Sequence, residues 1–286
     1  MTRPSTESVI KPTCIPHRTS IYVDPLYVTE MESETQSHEQ DQSTGDKKGV
    51  TFRTGRPLVN GSPIDEPTLE LNPESPASVL LRRSPHPLVS DPVSRTWATL
   101  LERPDSGNTD RPVLVQWVSP DSPEPPAHYH PKTETFETLE GQLTVVRDGE
   151  PIQLDAGESL TVEPGHEHTF RNDTNEIVAF RAELPSIRMV KGLYTAWGLA
   201  HKRGRDESGN FPGPGPAESL VIAADLYDET VMTMVSESVQ RVLWATAGRI
   251  ARLSGATGIT DVYLDASFWN RHVEQPELES PKDVTC

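Results

Sequence analysis

The chain has 286 residues and a formal net charge of -17, with 34% hydrophobic residues. The negative charge argues against binding to nucleic acid phosphates and to anionic membranes. The sequence shows no apolar run that would span a bilayer and no secretory signal after Met1. Its two cysteines, Cys14 and Cys286, lie far apart, which fits free thiols in a reducing compartment better than a disulfide. We therefore expect a soluble, cytoplasmic protein that binds neither nucleic acid nor membranes.

The N-terminal region is poor in large apolar side chains. Residues 30–50, EMESETQSHEQDQSTGDKKGV, cannot bury enough apolar surface to offset the entropy of folding. The stretch TSIYVDPLYV at 19–28 differs, because it has the composition of a strand at a domain or dimer edge. We predict that residues 1–70 are largely disordered.

Residues 71–186 show the pattern of an antiparallel β domain. Short apolar runs such as 94–102 and 112–119 alternate with turn-forming stretches. Asp148-Gly149 is a two-residue hairpin signal, and further strands follow up to EIVAFRAEL at 176–184. No helical period separates these strands, so the sequence predicts a mainly β fold, either a sandwich or a barrel.

The character of the chain changes after Leu184. The region 187–256 contains three amphipathic or apolar segments that predict C-terminal α-helices packed on the β domain or on a second subunit. The last of these predicted helices presents one apolar face, formed by Val239, Val242, Leu243, Thr246 and Ile250. Residues 257–286 are predicted to form a C-terminal tail.

The stretch HYHPKTETFETLEG at 128–141 is the first sign of a chemical function. Side chains two residues apart share a face of a strand, so His128 and His130 point the same way and Glu134 keeps their parity. His168 begins a later strand after the Pro164-Gly165 turn. If the sheet curls, three imidazoles and one carboxylate face a common interior, which is a donor set for a transition metal.

These two stretches resemble the paired motifs of the cupin superfamily. The spacing His128-x-His130-x3-Glu134-x6-Gly141 matches the first motif, although Ser122 stands where that motif usually opens with glycine. The second motif is matched by Gly157, Gly165, His168 and Asn172, with Glu163 in place of the usual proline. The resemblance covers residues 79–186.

The resemblance implies an antiparallel β-barrel, a double-stranded β-helix or jelly roll, with one divalent metal bound by His128, His130, Glu134 and His168. It also implies a homodimer. Mixed imidazole and carboxylate ligation favours iron, while manganese, nickel, copper and zinc are alternatives. The long polar N-terminal segment and the helical extension resemble stand-alone cupins of fungal secondary metabolite biosynthesis.

Several neighbouring residues are candidates for the pocket. Phe136 and Thr138 share the parity of Glu134, Phe170 shares that of His168, and Trp117 lies on the preceding hairpin. We predict that these four residues contact the substrate. For His166 we expect no ligation and leave a gating role open. Glu137 faces away from Glu134 and is interpreted as a surface or dimer charge.

The leading functional hypothesis is a metal-dependent oxidoreductase of the dioxygenase type that acts on a small polyketide-like or aromatic metabolite. Glu134 would accept the substrate proton. One alternative is a non-redox isomerase, cyclase or decarboxylase that uses the metal as a Lewis acid. The other is a cupin that binds a small molecule without turnover. The sequence leaves open the metal, the substrate, the reaction, the role of His166, the role of the C-terminal helices and the oligomeric state.

Overall fold

The computed structural model describes residues 51–104, 111–120 and 122–277. The predicted strand at 19–28, the predicted disorder of residues 1–50, and both cysteines lie outside these residues. Within the described part, residues 51–70 differ from the expected disorder. They form the short strands β1 (Phe52–Thr54), β2 (Leu58–Val59), β3 (Ser62–Pro63) and β4 (Leu69–Leu71). The reason is apolar burial, because Leu69 and Leu71 are 0% and 2% exposed.

Helix α1 (Pro76–Arg83) follows these strands and is well specified by its sequence. Ser75 is its N-cap and accepts a hydrogen bond from the backbone N–H of Ser78, while Pro76 occupies the first turn. The strands of the β domain then run in order: β5 (Val89–Asp91), β6 (Thr96–Glu102), β7 (Val113–Val118), β8 (His128–Tyr129), β9 (Glu134–Glu140), β10 (Gln142–Arg147), β11 (Glu150–Asp155), β12 (Ser159–Val162), β13 (His168–Arg171) and β14 (Val178–Glu183).

These strands form two antiparallel sheets. One has six strands in the order β12-β9-β14-β7-β6-β5, and the other has five in the order β11-β10-β13-β8-β15. Strand β15 (Val231–Met232) comes from the C-terminal region and pairs with β8, where Met232 lies opposite His128. Over the described residues the sheets do not join into a closed barrel. The fold is mainly β, as predicted. At the edge of the five-stranded sheet, however, β15 from the C-terminal region occupies the position beside β8 that a strand of a closed barrel would take.

The six-stranded sheet is covered on both faces, which explains why every residue of β7 is buried. Its inner face packs Leu114, Val118 and Phe136 in the main core together with residues of the five-stranded sheet. Its outer face packs Trp97 and Trp117 under Leu69, Leu71 and Leu81 in a second core. The run VLVQWV, which is apolar except for Gln116, is typical of a strand buried on both sides.

The C-terminal helices are α2 (Ile187–Arg203), α3 (Pro216–Leu226) and α4 (Glu237–Leu243), which continues through a π-helical turn (Trp244–Gly248) into α5 (Arg249–Leu253). Their presence confirms the predicted helices. The apolar face predicted on α4 and α5 does not pack on the sheets, however. Val239, Val242 and Ile250 are 54%, 64% and 67% exposed. The helices turn Gln240 and Ala251 inward instead.

The predicted C-terminal tail is also different where the structure describes it. A 3-10 helix (Asp261–Leu264) leads into α6 (Ala266–His272), in which Trp269 is 1% exposed. Glu274 then forms an ion pair with Arg56, at 2.7 Å between Oε1 and Nη2. Residues 278–286 lie outside the described part. Among the described residues, none of the helices has the length and apolar character needed to cross a membrane.

Candidate metal centre

Four side chains meet where the two sheets face each other. His128 lies on β8, and His130 is the first residue after that strand. Glu134 begins β9, and His168 begins β13 opposite His128. Their ligand atoms all lie within 4.8 Å of one another. His130, Glu134 and His168 are buried, and His128 is partly buried. The structure thus brings together all four residues that the sequence proposed as a donor set.

Each imidazole is oriented by a backbone carbonyl. Nδ1 of His128 lies 2.8 Å from the carbonyl oxygen of Pro126, and Nδ1 of His168 lies 3.0 Å from that of His166. Nδ1 of His130 lies 2.8 Å from the carbonyl oxygen of Glu229. A carbonyl only accepts hydrogen bonds, so each Nδ1 must carry a proton. This arrangement directs the three Nε2 atoms toward Glu134 and one another, as a metal site requires.

The buried carboxylate has an unusual environment. Oε2 of Glu134 lies 2.8 Å from Nε2 of His168 and 3.1 Å from Nε2 of His130. Burial alone would raise the pKa of Glu134, but the interactions with His130 and His168 lower it to about 2. Burial lowers the pKa of His128 to about 4. At neutral pH Glu134 is therefore ionised and His128 is neutral, which are the forms that bind metals.

The donor set fits a divalent transition metal. Despite its closeness to Glu134, Nε2 of His130 is buried and has no hydrogen-bond partner. A buried polar atom without a partner is costly unless something else binds it. A metal ion would use this lone pair together with those of His128 and His168 and the Glu134 carboxylate.

A cavity of about 480 Å³ opens beside these ligands and is bordered by His128 and Glu134. Strand residues from both sheets line one side. The other side consists of the C-terminal helices and is apolar, contributed by Leu193, Ala196, Trp197, Ile222 and Leu226. The size and apolar character are those of a site for a small organic molecule.

The four residues predicted to contact substrate divide into three groups. Phe170 lines the cavity. Phe136 and Thr138 lie on the same face as Glu134 but are sealed in the core, at 1% and 0% exposed, and do not border the cavity. The prediction for Trp117 is wrong, because alternation along β7 turns it into the core on the outer face of the sheet.

His166 and Glu137 lie away from the ligands. His166 is exposed and its Nδ1 lies 2.6 Å from Oδ2 of Asp148, so it is not part of the donor set. Glu137 pairs with Arg181 at 3.4 Å. Both side chains thus have partners on the protein surface.

Sequence reasoning missed two parts of the site. The first is the segment at Glu229 and Thr230, whose carbonyl and hydroxyl oxygens lie 2.8 Å and 3.2 Å from Nδ1 of His130. Nothing in the local sequence links it to a histidine a hundred residues earlier. The second is Gln116, which faces the cavity. Its polarity within the run VLVQWV was a usable signal.

Comparison with known proteins identifies the β domain. Residues 115–182, which contain all four ligands, match the family model described as Cupin domain. This segment is similar to cupin domains. Over 72 residues, 24% of this chain, it is 42% identical to quercetin 2,3-dioxygenase of Bacillus subtilis (strain 168). The alignment spans only 21% of that relative, so this chain shares about a fifth of its length.

Two solved structures of different proteins are similar to this chain over 30% of its length. A salicylate 1,2-dioxygenase from Pseudoaminobacter salicylatoxidans is 23% identical, with 30% of this chain and 26% of that chain covered and a TM-score of 0.27. The cupin domain of an XRE family transcriptional regulator from Enterobacter cloacae is 19% identical, with 30% and 92% covered and a TM-score of 0.28.

Proposed function

We propose that this protein is a metal-dependent oxidoreductase of the dioxygenase type that acts on a small aromatic or polyketide-like metabolite. The observation that carries the proposal is the convergence of three imidazole Nε2 atoms and one carboxylate beside an apolar cavity. The name of the Bacillus subtilis relative, a quercetin dioxygenase, supports the same class of reaction.

The residues that would hold the metal are His128, His130, Glu134 and His168. We propose iron as the first choice. Manganese, nickel, copper and zinc are alternatives, because imidazole and carboxylate donors suit several divalent ions. When bound, such an ion supplies Lewis acidity and, for a redox-active metal, electron transfer.

Glu134 is also the group that we propose accepts the substrate proton. It borders the cavity, and its low pKa keeps it a carboxylate at neutral pH. A carboxylate accepts a proton more readily from an enol or phenol than from an unactivated carbon acid. We therefore propose substrates with an ionisable hydroxyl group at the metal end.

The apolar helices serve the reaction by excluding water. Leu193, Trp197 and Ile222 cover the cavity on the side away from the sheets. Electrostatic interactions between the ligands and a bound substrate are stronger in such a surrounding than in water.

Oxygen uptake tests the proposal. We would measure it with quercetin and a panel of other aromatic enols and phenols on protein loaded with each candidate metal. The comparison variants are the double variant His128→Ala, His130→Ala and the control His166→Ala, which removes an exposed imidazole outside the donor set. We expect uptake of one dioxygen per substrate consumed, lost in the double variant and kept in the control.

Two results would contradict the proposal. Substrate conversion at the same rate without dioxygen would indicate the non-redox reaction. Binding of the panel with no conversion by any metal-loaded form would indicate a binding protein.

A further inference from the structure

We propose that Gln116 determines substrate specificity, with its amide binding an uncharged hydroxyl or carbonyl group at the end of the substrate remote from the metal ligands. This inference rests on the proposed function only in placing the substrate in the same cavity. It adds a substrate class: a flat, mainly apolar molecule of more than one ring with a neutral polar group.

Gln116 is an unusual residue for its position. It lies in the middle of β7, where every residue is buried, and is itself 8% exposed. Its side chain lines the cavity and makes no hydrogen bond within the described part of the protein. Its amide atoms are open to the cavity and are not sealed in the core. A ligand that displaces water from this amide must supply a hydrogen-bond partner, or binding is weakened by an unsatisfied polar group.

The other uncharged polar side chains that line the cavity have partners. Oγ of Ser94 donates to Asp91 at 2.6 Å, and Thr96 and Ser122 share a hydrogen bond of 3.2 Å. Thr230 bonds to His130. Within the described residues, the Gln116 amide is thus the uncharged polar side chain at the cavity that stays free for a ligand.

The charged lining is paired in the same way. Arg171 contacts Glu124 at 3.8 Å and Asp173 at 2.8 Å. These residues therefore do not offer a free charge to the ligand. An amide both donates and accepts, but it does not neutralise a charge, so it selects a neutral hydroxyl or carbonyl.

The sheet register gives the distance between the two ends. Gln116 on β7 lies opposite Phe180 on β14, which lies opposite Thr138 on β9. Glu134 is two strands away, about 10 Å across the sheet, and four residues along β9, about 13 Å along the strand. The two offsets combine to about 16 Å between the backbone positions, and both side chains face the interior. A single ring does not span such a distance, so the substrate has more than one ring.

Equilibrium dialysis with 4-phenylphenol and 4-(4-hydroxymethylphenyl)phenol tests the inference. Both probes carry the phenol for the metal end, and they differ by one remote hydroxymethyl group, which is uncharged at pH 7. We would compare wild type, Gln116→Leu, and the control Gln153→Leu, which changes an exposed glutamine of β11 outside the cavity. Gln116→Met is a second variant of similar length in case Gln116→Leu does not fold.

We expect wild type and the control to bind the probe with the hydroxymethyl group about fivefold more tightly than 4-phenylphenol, the value of one neutral hydrogen bond. In the Gln116 variants the preference should fall below twofold while 4-phenylphenol binds at least as tightly. A preference that persists in these variants would overturn the inference. Wild type that binds neither probe, or that binds both probes equally, would overturn it as well.

Dialysis needs no turnover, so this test separates the inference from the proposed function. Absence of oxygen uptake together with a Gln116-dependent preference would remove the dioxygenase proposal and keep the specificity residue. Oxygen uptake without a Gln116-dependent preference would keep the dioxygenase proposal and remove the specificity residue.

Discussion

Substitution of Gly198 by alanine should destabilise the protein by overpacking the contact between α2 and the 3-10 helix at 261–264. A Cβ atom at position 198 would lie 2.1 Å from Cδ1 and 2.4 Å from Cε1 of Tyr263. Carbon atoms in contact lie about 3.5–4.0 Å apart, so the elements must separate by roughly 1.5 Å. Tyr263 is 3% exposed and packs edge-on against Phe268, so its ring has no room to turn away.

Such overpacking costs about 1–3 kcal/mol, and the helix propensity gained by alanine offsets about 1 kcal/mol of it. Because the required separation of roughly 1.5 Å places the cost at the upper end of this range, we expect a net loss of about 2 kcal/mol, which lowers the melting temperature by roughly 4–8 °C for a protein of this size. Because α2 carries the cavity wall at Leu193 and Trp197, binding of apolar probes should weaken as well.

Thermal unfolding followed by circular dichroism measures this effect. The matched control is Gly213→Ala, where the nearest heavy atom to the new Cβ is 3.8 Å away and the substitution fits. The free energy of unfolding of the control should lie within about 1 kcal/mol of the wild-type value or slightly above it. Gly198→Ala protein that melts like the control would show that α2 and the 261–264 segment are not packed as described.

Three further predictions concern the metal site, the pH dependence and the C-terminal segment. Thr230→Val removes the hydroxyl beside His130 and keeps the shape of the side chain. Metal titration should therefore show an affinity about tenfold weaker than that of wild type. An unchanged affinity would refute the role of Thr230 in positioning His130. Burial lowers the pKa of His201 to about 4, below its unfolded value of 6.5. The unfolded chain therefore binds a proton first as the pH falls, and up to roughly 3 kcal/mol of stability is lost between pH 6.5 and 4. Chemical denaturation of His201→Gln over this range should show a shallower loss than wild type, and an equal slope would contradict the assignment. Trp269→Ala should lower the free energy of unfolding by about 3–5 kcal/mol, because the ring is 1% exposed, whereas a loose tail would give almost no change.

The metal ligands could be predicted because their placement is local. His128, His130 and Glu134 are set by alternation along one stretch of chain, and His168 follows a turn that the sequence marks clearly. Alternation also places Gln116 on the inner face and Trp117 on the outer face of β7. The prediction for Trp117 failed because parity was never tied to a known inward residue on that strand.

The C-terminal half was harder to predict because its contacts are distant in sequence. The carbonyl oxygen of Glu229 reaches His130, and Glu274 pairs with Arg56. No local pattern encodes such contacts. The helical period on α4 and α5 correctly indicated helices but not their orientation. Val239 and Val242 are exposed already in α4, before the π-helical turn at 244–248. The 257–277 segment looked like a tail because it carries no long apolar run, although Tyr263, Trp269 and Val273 are buried.

The most direct test of the account is the metal content of protein purified without added metal, measured by mass spectrometry. Wild type and His166→Ala should contain close to one transition metal ion per chain, and the double variant His128→Ala, His130→Ala should contain almost none. Wild type that stays free of metal even after incubation with iron, manganese, nickel, copper and zinc would contradict the metal centre. A metal content unaffected by the double variant would contradict it equally.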